Sequence, residues 1–317
     1  MALDIASTQF LQQLADQGAQ PFHALTPSNA REFFAGLREI IGDGPKMHRT
    51  GKTAVVSGDA SITLRSLVPS NNPDGIIVYL HGGGWVVGSL DDYDTLARFI
   101  AAESNCAVVL VDYRLAPEHP YPAALNDAWA ALRWVAENQQ WVSPSCKVLP
   151  LIIAGDSAGG NLAAVLARKA RLEGAPELLQ QILVYPVTQP DLTTPGYTSP
   201  ENQGLLGRED MAWFWNHYVP NSEQRVHPDV SPLLAEDLSG LPPAVIVTAE
   251  HDVLSAEGVA YVRRLRDASV PVSHRQFEGQ IHGFFSILNA LPASESARAF
   301  VVSELTCAIK TATASTT

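Results

Sequence analysis

A chain of 317 residues with 46% hydrophobic and only 17% charged side chains is long enough to bury a large core without disulfide or metal staples, and its composition excludes intrinsic disorder. With 33 Asp and Glu against 21 Lys and Arg, the formal net charge is −12, which repels nucleic acid and anionic membrane surfaces.

Residues 1–45 read as two helices. Ile5, Phe10, Leu11 and Leu14 fall near helical spacing, as do Phe33, Phe34, Leu37, Ile40 and Ile41, before Gly42-Asp43-Gly44-Pro45 stops the pattern. Ser61 to Leu67 then alternates as a half-buried, antiparallel strand. Next come short unbroken apolar runs, rich in β-branched residues, at 76–80, 107–111, 151–154, 182–185 and 244–247. Such runs suit strands covered on both faces of a parallel sheet. Helical patterns separate most of them. Ser89-Leu90-Asp91-Asp92 is a capping start to one helix, and 123–137, 161–172 and 258–268 supply others. This alternation predicts an α/β fold.

Residues 189–237 break the rhythm. They open with turn formers and carry an aromatic-rich helix around Met211-Ala212-Trp213-Phe214-Trp215. The segment reads as an insertion which, with the N-terminal helices, forms a cap over the sheet. The expected organisation is therefore a cap segment at 1–45, a core at 46–188, a cap insertion at 189–237 and the rest of the core at 238–317.

Gly155-Asp156-Ser157-Ala158-Gly159 matches the G-x-S-x-G nucleophile elbow, directly after one predicted strand and before one predicted helix. Serine needs a base to take its proton, and a tight strand-to-helix turn exposes its Oγ. His81-Gly82-Gly83-Gly84-Trp85 also follows a strand. Consecutive glycines let backbone N–H groups point into a cavity, where they stabilise a developing oxyanion. The expected donors are the N–H groups of Gly83, Gly84 and Ala158. A phosphate loop is disfavoured, because neither a following Lys-Ser/Thr nor a G-x-G-x-x-G is present. His81 reads as a brace for the loop. A triad built on such an elbow runs Ser, acid, His in chain order. His282, in a Gly-flanked loop past the last strand, is preferred as base over His251. Glu250 and Asp252 both lie past the preceding strand, and Asp252 is favoured as the acid that orients the imidazole. No HExxH or Cys/His metal spacing occurs.

These segments closely resemble the bacterial hormone-sensitive-lipase-like carboxylesterases of the α/β-hydrolase fold, in the branch with a GDSAG elbow. The matches are 81–85, 112–123, 155–161, 250–254 and 278–284, within a core of about residues 75 to 285. The resemblance implies a mostly parallel sheet of about eight strands with helices on both faces and a helical cap. It also implies ester hydrolysis without a cofactor. Arg114–Pro117 is a family marker, read from the residues as an Arg–carboxylate support. Relatives often carry an extra Asp near Ser255 or Ala256, where this chain has only Glu257.

The expected activity is hydrolysis of short- to medium-acyl esters by a Ser157–Asp252–His282 triad. Phe34, Trp85, Tyr185 and Phe214 are the candidate pocket walls. The alternatives are an amidase or peptidase using the same triad, a true lipase, and a non-catalytic small-molecule receptor. The acidic charge speaks against the lipase and the base His282 against the receptor. Three cysteines, Cys106, Cys146 and Cys307, without a CxxC pair fit a reducing compartment. The first ten residues lack a cationic start and an apolar h-region, and no apolar run reaches the ~18 residues of a membrane span. The expectation is a cytoplasmic protein whose partner is a small ester. Neither nucleic acid nor membrane is an expected partner. A homodimer is expected through the edge strand Val272–Phe277.

Overall fold

A computed structural model describes residues 2–144 and 148–314. In chain order the regular elements are α1 (Ile5–Asp16), α2 (Pro27–Gly36), α3 (Arg38–Ile41), β1 (Arg49–Ser57), β2 (Ala60–Val68), β3 (Ile76–Leu80), α4 (Leu90–Ser104), β4 (Ala107–Asp112), α5 (Ala123–Glu137), β5 (Leu151–Asp156), α6 (Ala158–Glu173), β6 (Gln180–Val184), α7 (Pro195–Thr198), α8 (Arg208–Tyr218), β7 (Ala244–His251), α9 (Ser255–Asp267), β8 (Val272–Ile281) and α10 (Ala293–Ala314). The strands form one eight-stranded sheet in the order β1-β2-β4-β3-β5-β6-β7-β8. β1 and β2 pair antiparallel, as do β2 and β4, and every other pairing is parallel.

The unbroken apolar strands are buried on both faces because alternate residues serve two cores. Ile76, Val78 and Leu80 of β3 join the core under α5, α6 and α9, whereas Ile77 and Tyr79 join the core under α4 and α10. Ser89 caps α4 as expected, its Oγ accepting from the Asp92 N–H at 3.3 Å.

Two readings need correction. Residues 49–57 form a strand, β1, although their polar run gave no strand pattern. β1 is an edge strand whose first six residues are exposed or half-buried, so selection for a core left little periodicity there. Ile5 is 77% exposed, and the stripe that α1 buries is Ser7, Phe10 and Leu14 instead. Of the cysteines, Cys106 is buried and Cys307 exposed, both as free thiols, and Cys146 lies outside the described residues. Among the described residues no helix is long and apolar enough to cross a membrane.

Strand order reverses about β3, which lies between β4 and β5. In open α/β sheets the crevice beyond the strands' C-terminal ends at such a switch point is where ligands bind. The His81–Trp85 loop follows β3 and Ser157 follows β5, so the glycine-rich loop and the G-x-S-x-G turn of the sequence meet there.

Candidate active site

Ser157 stands between β5 and α6 at φ 53°, ψ −118°. A positive φ is costly for any residue with a Cβ. The turn is held by the Ser157 N–H donating to Val184 O at 2.8 Å and by the Asn161 N–H donating to Ser157 O at 3.0 Å. Gly159 must be glycine, because a Cβ there would run into the Leu80 carbonyl. The turn points Oγ at His282, whose Nε2 lies 3.0 Å away. His282 follows the last residue of β8. Its Nδ1 is 2.7 Å from Asp252 Oδ2, and Asp252, just past β7, is fully buried with Oδ1 accepting from the Leu254 N–H at 2.9 Å. With Nδ1–H donating to the carboxylate, Nε2 is left as acceptor for the serine hydroxyl. The three residues singled out in the sequence are thus brought together in a hydrogen-bonded line. His251 is buried in β7 with neither ring nitrogen bonded among the described residues, and Glu250 accepts from the Gly279 N–H at 2.7 Å. Neither takes part in the line.

Gly83 and Gly84 have φ of +108° and +57°, conformations open to glycine at little cost. Their N–H groups and that of Ala158, the first residue of α6, donate to no acceptor among the described residues. Gly83 and Gly84 line a cavity of about 70 Å³ together with Ser157 and His282.

One buried network holds this loop, built from residues far apart in sequence. Asp156 Oδ1 accepts from the Gly82 N–H (3.0 Å) and Tyr79 OH (3.0 Å), and Oδ2 accepts from Tyr93 OH (2.9 Å). Burial pushes the Asp156 carboxyl up to about 6 against the pull of these donors. The carboxylate ties the turn at Ser157 to the glycine loop, so the Ser157 hydroxyl and the loop N–H groups share one support. His81 is the expected brace. It is buried, its ring stacks on Tyr113 at 4.3 Å, and Nδ1 lies 2.7 Å from Gly82 O. Burial lowers its pKa to about 4, which keeps the ring neutral. Arg114 supports the segment after β4 through two hydrogen bonds to buried Asp127, both at 2.8 Å.

Of the four candidate walls, Phe34, Tyr185 and Phe214 line the cavity and Trp85 does not. Trp85 sits at φ 60°, and that reversal sends the indole into the interior. There it is fully buried, stacked on Tyr218 at 4.2 Å and against Trp215 at 4.9 Å. Residues missed in the sequence complete the wall: Phe22, Phe33, Leu206, Met211 and Ile287. The N-terminal segment touches the insertion directly. Phe22 and Phe214 rings lie 5.3 Å apart, and His23 Nδ1 is 2.7 Å from Asp210 Oδ1.

Glu257 occupies the base of the insertion. It is buried, accepting from the Thr188 N–H at 2.6 Å and Tyr197 OH at 3.0 Å. Burial, with nearby Asp252 adding to it, raises its pKa to about 8. A carboxyl whose folded pKa exceeds its unfolded value stabilises the fold fully below the unfolded pKa, and that stability is lost as pH rises through the folded value. Glu257→Gln, which mimics the protonated acid, is therefore expected to raise Tm at pH 9 by roughly 2–4 °C relative to the parent and to change it little at pH 5. An equal shift at both pH values in thermal scans contradicts the assignment.

The profile of a family described as alpha/beta hydrolase fold matches residues 77–286. A carboxylesterase of Mycobacterium tuberculosis is 42% identical over 262 residues, covering 80% of each chain. The chain belongs to the hormone-sensitive-lipase-like carboxylesterases of the α/β-hydrolase fold. It is a carboxylic ester hydrolase. An ethyl acetate hydrolase of Pseudomonas putida is 32% identical over 294 residues, 90% of this chain and 91% of that one. Among solved structures, a thermostable esterase from Pseudomonas putida superposes with a TM-score of 0.90 at 34% identity, covering 97% of this chain and 98% of that one. In this family member the candidate site lies at the C-terminal rim of the sheet.

Proposed function

We propose that the protein hydrolyses short- to medium-acyl carboxylic esters through an acyl-enzyme on Ser157. The observation that carries this reading is the line Asp252–His282–Ser157, with spacings of 2.7 and 3.0 Å. Ser157 Oγ attacks the ester carbonyl as His282 Nε2 takes its proton, and Asp252 stabilises the imidazolium. The carbonyl oxygen, now an oxyanion, accepts from the N–H groups of Gly83, Gly84 and Ala158, with the N-terminus of α6 adding its dipole. His282 returns the proton to the leaving alcohol. Water, deprotonated by the same imidazole, then releases the acid and restores Ser157.

Phe34, Tyr185 and Phe214 are the proposed substrate walls, and residues 1–45 and 189–237 together form the cap. The Phe22–Phe214 and His23–Asp210 contacts support a joint cap. The bulky aromatic walls of the cavity are the reason for expecting acyl chains of roughly two to eight carbons. On a graded series of p-nitrophenyl esters, each methylene that fits is expected to help by about 0.8 kcal/mol until the wall is met and kcat/KM falls. Deleting residues 1–40 is expected to lower stability and flatten that optimum. Preference for sixteen-carbon over four-carbon esters contradicts the short pocket, and an unchanged optimum after the deletion contradicts the joint cap.

A homodimer through β8 is the expected assembly. β8 is the last strand of the sheet, with Ser273–Gln276 only partly covered, and an open edge invites pairing. Light scattering at micromolar concentration is expected to give twice the 34.1 kDa chain mass, and the single-chain mass rejects the dimer.

A further inference from the structure

We propose that Arg31 of the N-terminal segment is a positioning residue for the oxyanion, aiming the Gly84 N–H through two hydrogen-bonded peptide groups. This rests on the reading of Gly83, Gly84 and Ala158 as the N–H donors beside Ser157. Arg31 lies in α2, the helix that also supplies Phe33 and Phe34 to the cavity wall. Its guanidinium reaches out of that helix and fastens to the core. Nε donates to Val86 O at 2.8 Å, and Nη2 donates to Ala116 O at 2.9 Å. Nη1 and Nη2 also grip the Glu118 carboxylate at 2.8 and 2.6 Å. Both carbonyls belong to fully buried residues, where an unpaired acceptor is costly.

The path from Arg31 to the site runs through the backbone. A trans peptide points its C=O and its N–H in opposite directions, and both peptides on the path are trans. The peptide whose carbonyl Arg31 holds carries the Val87 N–H, which donates to Gly83 O at 2.9 Å. The peptide of that Gly83 carbonyl carries the Gly84 N–H, which has no acceptor among the described residues. The guanidinium is thus the fixed end of a line of bonds that finishes on an unpaired donor in the cavity wall. A second branch meets the same carbonyl. The Val86 N–H donates to Gly83 O at 3.0 Å, and its own peptide is held by the Ala116 N–H donating to Trp85 O at 2.8 Å. Arg31 clamps both branches, because it holds the carbonyls of Val86 and Ala116 together. Hydrogen bonds in series polarise one another, and a donor fixed before the reaction is what stabilises a developing oxyanion.

A strap that merely holds α2 down affects stability and ester binding, whereas the proposed role is felt in the transition state. Arg31→Met keeps the apolar stem and removes every donor. Its kcat on p-nitrophenyl butyrate is expected to fall about tenfold with KM within twofold, a smaller loss than the roughly 10²–10³-fold cost of deleting an oxyanion donor outright. An alkyl trifluoromethyl ketone reads oxyanion stabilisation separately. Ser157 Oγ adds to its carbonyl carbon, the hydroxyl proton passes to His282, and the carbonyl oxygen becomes an oxyanion with no leaving group to expel. Its Ki is expected to rise by about the same factor of ten. Glu118→Gln still offers Arg31 an acceptor and leaves both buried carbonyls held, so its kcat is expected to stay within twofold of the parent. Arg31→Lys, with one nitrogen to serve three acceptor groups, carries the test if the Met variant does not fold. It is expected to lose kcat and inhibitor affinity together by about threefold or more. Unchanged kcat in the folded variant, a change confined to KM, a loss of kcat with Ki unmoved, or an equal loss in Glu118→Gln overturns the proposal. Ser157→Ala assayed on the same ester keeps the two readings apart. Loss of hydrolysis there beside a normal Arg31→Met sinks only the role of Arg31, whereas retained hydrolysis sinks the nucleophile and the oxyanion site on which that role rests.

Discussion

Ser157→Ala is expected to reduce kcat for ester hydrolysis on the order of 10⁶-fold, leaving only what substrate binding and the backbone donors provide. The substitution removes one buried hydroxyl whose partner at 3.0 Å is His282 Nε2. No other hydroxyl is hydrogen-bonded to that nitrogen among the described residues. The alanine also fits the turn, because its φ of 53° is already strained for serine and the two side chains share a Cβ. Thermal stability is therefore expected to stay close to the parent. An inactive variant that unfolds at the parent's temperature isolates the chemistry from the fold. Near-normal turnover by the variant sinks the whole catalytic assignment.

Asp252→Asn is expected to cost about 10⁴-fold in kcat. The loss arises from the tautomer rather than from a gap. Oδ1 accepts from the Leu254 N–H, so an asparagine keeps its carbonyl there and presents its NH₂ to His282 Nδ1. The imidazole then carries its proton on Nε2, facing Ser157 with a donor where an acceptor is required. Because Asp252 is fully buried, water has no access to restore the balance. Stopped-flow or steady-state assays read the loss directly. A loss of tenfold or less indicates that another group, Glu250 being the nearest alternative in sequence, orients the imidazole.

What the sequence made legible was whatever is encoded over a few adjacent residues. The glycines around Ser157 and after His81 declare themselves because a tight turn and a backbone-lined loop admit almost nothing else. The strand runs at β3 to β7 are visible because burial on both faces removes polar residues. β1 stayed hidden for the converse reason: an exposed edge strand bears Lys52 and Gly51 without penalty, so its composition resembles a loop. Trp85 was misplaced because adjacency to the glycine loop says nothing of where the ring points after the chain reverses. Beyond His81, most of the support beneath the loop was not readable. Tyr79, Tyr93 and Asp156 are scattered over some eighty positions and meet only once β3, α4 and β5 are assembled. Tyr79 gave one local hint, a hydroxyl inside an otherwise apolar strand, since a buried tyrosine OH requires a partner. Glu257 stood out in sequence as the residue left where relatives carry an aspartate, yet its function as the anchor of Thr188 and Tyr197 depends on contacts 60 and 69 residues away.

The central claim is that Ser157 becomes covalently acylated, and the most direct test is to trap it. Diethyl p-nitrophenyl phosphate should react with the active enzyme as an ester does, with Ser157 Oγ bonding to phosphorus and p-nitrophenolate departing. The diethylphosphoryl serine then resists hydrolysis. The account predicts one equivalent of p-nitrophenolate per chain, parallel loss of esterase activity, and a mass increase confined to the peptide carrying Ser157. It also predicts no labelling of Ser157→Ala. Full activity with no adduct, or a stoichiometric adduct on a different residue, contradicts it.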